Sequence, residues 1–216
     1  MLGDDHRARF LLALLGGEQL SAGELAARSG ASPSLASAHL AKLLGAGLVT
    51  ANRQGRQRYY RLASPQVARA VEALLAIAPV SRASGLREST RGEAIRRART
   101  CYDHLAGRLG VALTDAFEQR RIIRPHQSGW ELTPQGEREL GALGLDIGAL
   151  RGHRRAFMRP CLDWTERRPH LAGALGAGIA TGLFELGWIH RLPHSRAVRI
   201  TQTGEAELRA RFAVAV

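Results

Sequence analysis

The chain has 216 residues, of which 45% are hydrophobic, and a formal charge of +12. That is ample for a buried core, and the basic excess favours an anionic partner, nucleic acid first. No run of about 18 uncharged apolar residues occurs, and the opening MLGDDHRARF carries acids where a signal peptide needs basic groups, so a cytoplasmic protein without a membrane span is expected. The two cysteines, Cys101 and Cys161, are too few for a disulfide framework.

Residues 5–15 (DHRARFLLALL) predict an opening amphipathic helix. Ser21 with Glu24 three residues on is a capping-box signature and starts a second helix, which Gly30 ends. Ser32 caps a third helix, with Pro33 at its first position, where a missing N–H costs nothing. Ala36, Leu40 and Leu43 recur at helical spacing and are expected to face the core. Leu48-Val49 opens a strand, Gly55 sits at the turn between Asn52 and Arg56, and Arg58–Leu62 returns as its partner. A fourth helix follows Ser64-Pro65, with Val67, Val71, Leu74, Leu75 and Ala78 as one apolar stripe. The segment Pro79–Gly92 is rich in Ser, Arg and Gly and reads as a boundary.

This order of parts predicts a winged helix-turn-helix over residues 1–80, a linker over 81–92 and a second domain over 93–216. The second domain carries an internal repeat. His104-Leu-Ala-Gly-Arg-Leu-Gly110 recurs as His170-Leu-Ala-Gly-Ala-Leu-Gly176, Cys101-Tyr-Asp103 as Cys161-Leu-Asp163, and the stretch 132–140 as 200–208. Three matches in one order predict two related helix–hairpin–helix copies, about 93–150 and 155–212, each with a wing-like hairpin and a helix capped by Thr133 or Thr201. The fold class expected is mainly α with small β-hairpin wings (α+β), a winged helix-turn-helix followed by a duplicated winged-helix-like half.

A helix that enters a DNA groove must bury one face and offer short polar groups on the other. With Ala36, Leu40 and Leu43 inward, Ser34, Ser37, Ala38 and Lys42 fall outward and His39 lies at the edge. Ser32 and the helix N-terminus suit a phosphate. Arg53, Arg56 and Arg58 stud the hairpin and suit phosphate or minor-groove contact. A structural helical unit with a solvated hairpin, or a protein-interaction module, is the competing reading.

The words Leu25-Ala-Ala-Arg-Ser-Gly30, Ser37-Ala-His39-Leu40, Leu43-Leu-Gly-Ala-Gly47-Leu48-Val49 and Gly55-Arg56-Gln-Arg-Tyr59-Tyr60-Arg-Leu62 resemble the ArsR-type winged-helix repressors. The resemblance covers about the first 80 residues. It implies a cytosolic bacterial repressor that binds double-stranded DNA as a homodimer, pairs through the first and last helices of the domain (near 5–15 and 65–78), and leaves its operator when an effector binds. Family metal sensors often place a cysteine pair before the recognition helix, and Glu24–Ser29 has none. Others place Asp and His ligands on the last helix, and Gln66–Ala78 has neither.

Sensing is therefore expected in the second half, where the effector is open: a metal, a thiol-reactive species or an organic molecule. Cys101, Asp103 and His104 are expected within one helical turn, with Cys161, Asp163 and His170 as a looser copy. Packing of the copies about a pseudo-two-fold axis would let Cys101 and Cys161 meet in a metal, arsenical or redox site. The plainer alternative makes these residues buried packing groups. Trp130, Trp164, Trp188, Tyr102, Phe157 and Phe184 are candidates to line an organic-ligand pocket. The arginines of Arg82–Arg99 and Arg151, Arg154, Arg155 and Arg159 are candidates to hold DNA backbone. No enzyme signature is found, so the expected function is a transcriptional repressor, with an accessory or nucleoid-type DNA-binding protein as the alternative.

Overall fold

The computed structural model describes residues 3–77, 90–127, 129–193 and 195–216, in two compact units. One comprises Met1–Glu93 with Pro193–Arg196, the other Ala94–Leu192 with Ala197–Val216. Most of the expected 81–92 linker lies outside the described residues, but its last part is helical, because a helix begins at Thr90.

In the first unit, α1 (Asp5–Leu14), α2 (Ala22–Ser29) and α3 (Pro33–Gly45) pack around Phe10, Leu11, Leu14, Leu25, Leu40 and Leu43. A sheet of order β1-β3-β2 joins β1 (Leu20–Ser21), β2 (Val49–Gln54) and β3 (Gln57–Leu62). The local chemistry explains each boundary. Glu24 N–H donates to Ser21 Oγ at 3.3 Å and Ser21 N–H donates to Glu24 Oε2 at 2.8 Å, which closes the capping box. Gly30 ends α2 at φ +70°, and Ser32 caps α3 by accepting from Leu35 N–H. The wing is antiparallel, with Gln54 opposite Gln57 and Gly55 at φ +60° in the turn. α4 (Pro65–Ile77) follows; Ala68 and Val71 are buried, whereas Leu74 and Ile77 are 46% and 77% exposed.

In the second unit α5 (Thr90–Arg97) is followed by a hairpin, where a helical turn is expected at Cys101–His104. The hairpin is β4 (Arg99–Cys101) with β5 (His104–Ala106). Then come α6 (Gly107–Gln119), the hairpin of β6 (Ile123–His126) and β7 (Gly129–Leu132), and α7 (Pro134–Gly141). After α8 (Ile147–Arg151) the same order returns: β8 (Arg159–Leu162) with β9 (Pro169–Ala172), α9 (Gly173–Glu185), β10 (Ile189–Arg191) with β11 (Val198–Ile200), and α10 (Gln202–Phe212). Leu109, Leu113, Phe117, Leu175, Ile179, Leu183, Trp188 and Phe212 share one core.

Matching details recur in both series. Thr133 accepts from Gly136 N–H and Thr201 from Gly204 N–H, each at 2.9 Å. Each hydroxyl also donates back to the residue just before the first strand of its hairpin, to the Ile122 or the Trp188 carbonyl. A Cβ on Gly136 or Gly204 would stand 2.1 Å from the carbonyl oxygen of Ile122 or Trp188, so the helix start can sit on the hairpin only without a side chain.

Candidate nucleic-acid interface and thiol–imidazole cluster

On α3, Ala36, Leu40 and Leu43 are fully buried, which turns Ser34, Ser37, Ala38 and Lys42 to solvent. Ser32 is exposed at the helix start, and Arg53, Arg56 and Arg58 are exposed along the wing. The outer face therefore combines small side chains, hydroxyls and one ammonium beside a basic hairpin. Such a surface lets a helix lie close to base edges while the arginines reach phosphate. His39 departs from expectation. It is 7% exposed and packs inward, with Arg7 Nη1 at 3.2 Å, Asp4 Oδ1 at 3.6 Å and Phe10 edge-on. It joins α3 to α1 and is not available as a surface contact.

In the second unit, Cys101, His104, Cys161 and His170 bring one donor atom each within 4.8 Å of one another. The strand registers explain how. Cys101 stands opposite His104 in the first hairpin, and Cys161 opposite His170 in the other. Side chains on directly opposed residues of an antiparallel pair share a face, so each hairpin presents one thiol and one imidazole. The Sγ atoms are 4.0 Å apart and the two Nε2 atoms 3.2 Å apart. His104 and His170 are each 1% exposed and Cys101 5%. The expectation that Cys101, Asp103 and His104 share a helical turn is thus corrected. They belong to a tight hairpin that Tyr102 turns at φ +62°.

The carboxylates stand behind the imidazoles. Asp103 Oδ1 is 3.3 Å from His104 Nδ1, and Asp163 Oδ2 is 3.4 Å from His170 Nδ1. Asp163 is fully buried and pairs with Arg99 at 3.0 Å; it also accepts from the Gly107 N–H at 2.7 Å and from Thr165 Oγ1 at 2.7 Å. Burial pushes this carboxyl up, but the neighbouring His170 ring, the Arg99 charge, Thr165 and the Gly107 amide outweigh it and hold it far below the usual carboxylate range. Burial likewise works against a charged His170, yet Asp163 and Cys101 raise its pKa above the ordinary value. Asp103, on which burial acts upward, is held low by Arg155 and His104.

Other expected groups are dispersed. Arg99, expected among DNA-backbone arginines, is 1% exposed, and its guanidinium lies 4.9 Å from the Trp164 ring centre. Arg82, Arg87 and Arg91 lie where side chains are not described. Arg155 pairs with Asp103, whereas Arg154 and Arg159 are exposed. Arg151, beside Glu137 and over the Phe157 ring, is exposed as well. The six aromatics do not gather around a gap: Trp188 is core and Tyr102 is half exposed. The small apolar hollow of about 10 Å³ lined by Leu113, Phe117, Leu140, Ile179 and Phe212 includes none of them, and it has room for about one water.

Comparison with known proteins follows the same division. Residues 2–51 match the family described as a helix-turn-helix domain. An HTH-type transcriptional regulator of Bacillus subtilis, YdfF, is 42% identical over 205 residues, 95% of this chain and 91% of its own length. The chain belongs to the HTH-type transcriptional regulators. The regulator CmtR of Mycobacterium tuberculosis is 45% identical over 76 residues, 35% of this chain and 64% of its own. Among solved structures, HlyU of Vibrio cholerae (36% identity, 34% of this chain and 76% of that one) and the homodimeric winged helix-turn-helix domain Mb0332 of Mycobacterium bovis (34% identity, 34% and 67%) both overlay with a TM-score of 0.32. The match to YdfF extends over both units, so this HTH-type regulator shares its second unit with at least one relative.

The cluster's supporting residues are the part that spacing alone did not reveal. Arg99, Thr165 and Gly107 hold Asp163 and carry no motif. The available signal was the pairing Cys101-Tyr-Asp103-His104 against Cys161-Leu-Asp163, in which an acid follows each cysteine by two positions. No helix among the described residues is long and apolar enough to cross a membrane.

Proposed function

We propose that this regulator is a homodimeric repressor whose first unit binds operator DNA and whose second unit receives the effector that releases it. One observation carries the DNA reading: the exposed face of α3 offers Ser34, Ser37 and Lys42 among the small Ala38 and Ala41, with Leu35 39% exposed near its start, beside a wing on which Arg53, Arg56, Arg58 and Arg61 are exposed. Ser37, Ala38 and Lys42 face the bases, and Ser32, Arg53, Arg56 and Arg58 hold phosphate. Dimer formation is favoured by α4, where Leu74 and Ile77 are exposed at a spacing of nearly one helical turn.

The second unit arose by duplication of a winged-helix-like segment. The support is the repeated order of hairpin, helix, hairpin and Thr-capped helix, with the same glycine contact in each copy. Neither copy keeps a polar groove-reading helix: α6 and α9 are buried along most of their length. These copies therefore serve packing and sensing, and the Cys/His cluster, open to a metal ion or a thiol-reactive species, is the receptor.

The test is a set of gel shifts on the protein's own promoter at defined salt. Arg56→Ala is expected to weaken binding to all sequences alike and to reduce the salt slope by about one ion. Ser37→Ala and Lys42→Ala are expected to change which base pairs are preferred, at about 1–3 kcal/mol per lost base contact. Equal losses on every sequence from the two helix variants would remove α3 from the groove and leave an accessory DNA-binding protein.

A further inference from the structure

We propose that Cys101, His104, Cys161 and His170 form a closed tetrahedral site for one zinc-class divalent ion, which clasps the two hairpins of the second unit. This deepens the reading of the cluster as a receptor. The binding test below involves no DNA, so the site and the repressor reading fail separately.

The geometry fits the ion. Zinc–sulfur bonds of about 2.3 Å and zinc–nitrogen bonds of about 2.0–2.1 Å in a tetrahedron require sulfurs about 3.8 Å apart and nitrogens about 3.3 Å apart. The observed separations are 4.0 Å and 3.2 Å. The like pairs need shifts of tenths of an ångström, whereas sulfur–nitrogen pairs, which reach up to 4.8 Å against about 3.6 Å in the same tetrahedron, must close by about 1 Å as the hairpins draw onto the ion. Two imidazoles and two thiols are the soft, mixed donor set that selects zinc over magnesium or calcium.

The orientation of the rings points the same way. Both imidazoles turn Nε2 inward and Nδ1 toward a carboxylate, His104 to Asp103 and His170 to Asp163. A carboxylate behind each ligating histidine is the arrangement that fixes its tautomer and direction in metal sites. A redox thiol pair would need no imidazoles, and simple core packing would not gather two ring nitrogens and two sulfurs within 4.8 Å of one another.

Charge closes as well. Asp163 is matched by Arg99 and Asp103 by Arg155. Two thiolates then remain to match a dication, which leaves the buried centre neutral. Four protein donors leave no open position, so the site holds an ion without presenting it to a substrate. Metal binding draws protons from both thiols, so affinity falls as the solution is acidified.

The chain has only two cysteines, which makes the readout unambiguous. The full chain, purified with reductant and stripped with chelator, is titrated with cobalt(II) and then zinc. The expected result is one equivalent bound, with the visible bands of tetrahedral cobalt and a thiolate charge-transfer band, all displaced by zinc. Cys101→Ser/Cys161→Ser should lose the charge-transfer band. Asp103→Asn, at a partly exposed position, should keep the spectrum and bind about 10–100-fold more weakly. Should the double variant not fold, thiol reactivity of the unaltered chain decides. One equivalent of zinc is expected to protect both cysteines, and chelator to restore their reaction. Absence of stoichiometric cobalt binding, an unchanged charge-transfer band in the folded double variant, or thiols that react equally with and without zinc would each overturn the proposal.

Discussion

Arg99 and Asp163 are the most consequential pair at the level of single residues. Both are buried, and the carboxylate accepts from Arg99, from the Gly107, Thr165 and Glu166 amides and from the Thr165 hydroxyl, with the His170 ring alongside. Replacing Arg99 alone by Leu leaves a buried carboxylate short of its cation, which costs about 3–5 kcal/mol, whereas replacing both partners with apolar residues of similar volume costs far less. Urea unfolding of Arg99→Leu, and of Arg99→Leu/Asp163→Leu, measures the difference; a single variant as stable as the unaltered chain would show that the pair is not integral to the second unit. Gly136 offers a steric counterpart. A methyl group there would meet the Ile122 carbonyl at 2.1 Å, so Gly136→Ala is expected to destabilise the chain despite alanine's better helix propensity. A neutral or stabilising effect by the same measurement would mean that the helix start can move off the hairpin.

Individual elements show which signals in the sequence carry far and which do not. Caps and glycines were legible because their chemistry is local: Ser21 with Glu24, Ser32 with Pro33, and Thr133 and Thr201 all cap the helices their spacing implied. Thr133→Ala and Thr201→Ala are each expected to cost about 1 kcal/mol, the usual cap penalty, and unequal losses measured by thermal unfolding would show that the two copies are not equivalent. The β4–β5 hairpin was not legible. Its strands are three residues each, too short for alternation to register, and in its two-residue turn Asp103 follows Tyr102, a residue without turn preference that takes φ +62°. His39 misled for another reason. An imidazole at a helix edge reads as polar, but the burial it finds here depends on Asp4, Arg7 and Phe10, contributed by α1 and its cap. The cysteines and histidines were legible as a repeated set. Their convergence was conditional on how two segments some sixty residues apart pack, which no spacing rule supplies.

For the whole molecule, the proposed repressor divides its work, with recognition in the first unit and control in the second. Assembly belongs to this scale too. Leu74 and Ile77 on α4 are exposed in the single chain, and covering them in a dimer explains why apolar side chains remain there. Leu74→Glu/Ile77→Glu is expected to sediment as a monomer where the unaltered chain sediments as a dimer, and to bind operator more weakly because one half-site is lost. An unaltered chain that is already monomeric at micromolar concentration, or a dimer that survives both substitutions, would place the partner contact elsewhere. If the thiol–imidazole cluster is loaded with zinc, chelation should lower the thermal midpoint of the second unit, because an ion that binds only the folded chain stabilises it by mass action.

The most direct test of the account is the ratio of affinities for the protein's own promoter fragment and for unrelated duplex DNA of equal length, measured by competition at physiological salt. A groove-reading α3 predicts at least about 1,000-fold preference for the promoter, the lower bound for specific regulators. Equal affinity for both, with the same steep salt dependence, would mean that phosphate contact by the basic wing is all that binds DNA and would contradict the assignment of α3 as a reader of sequence.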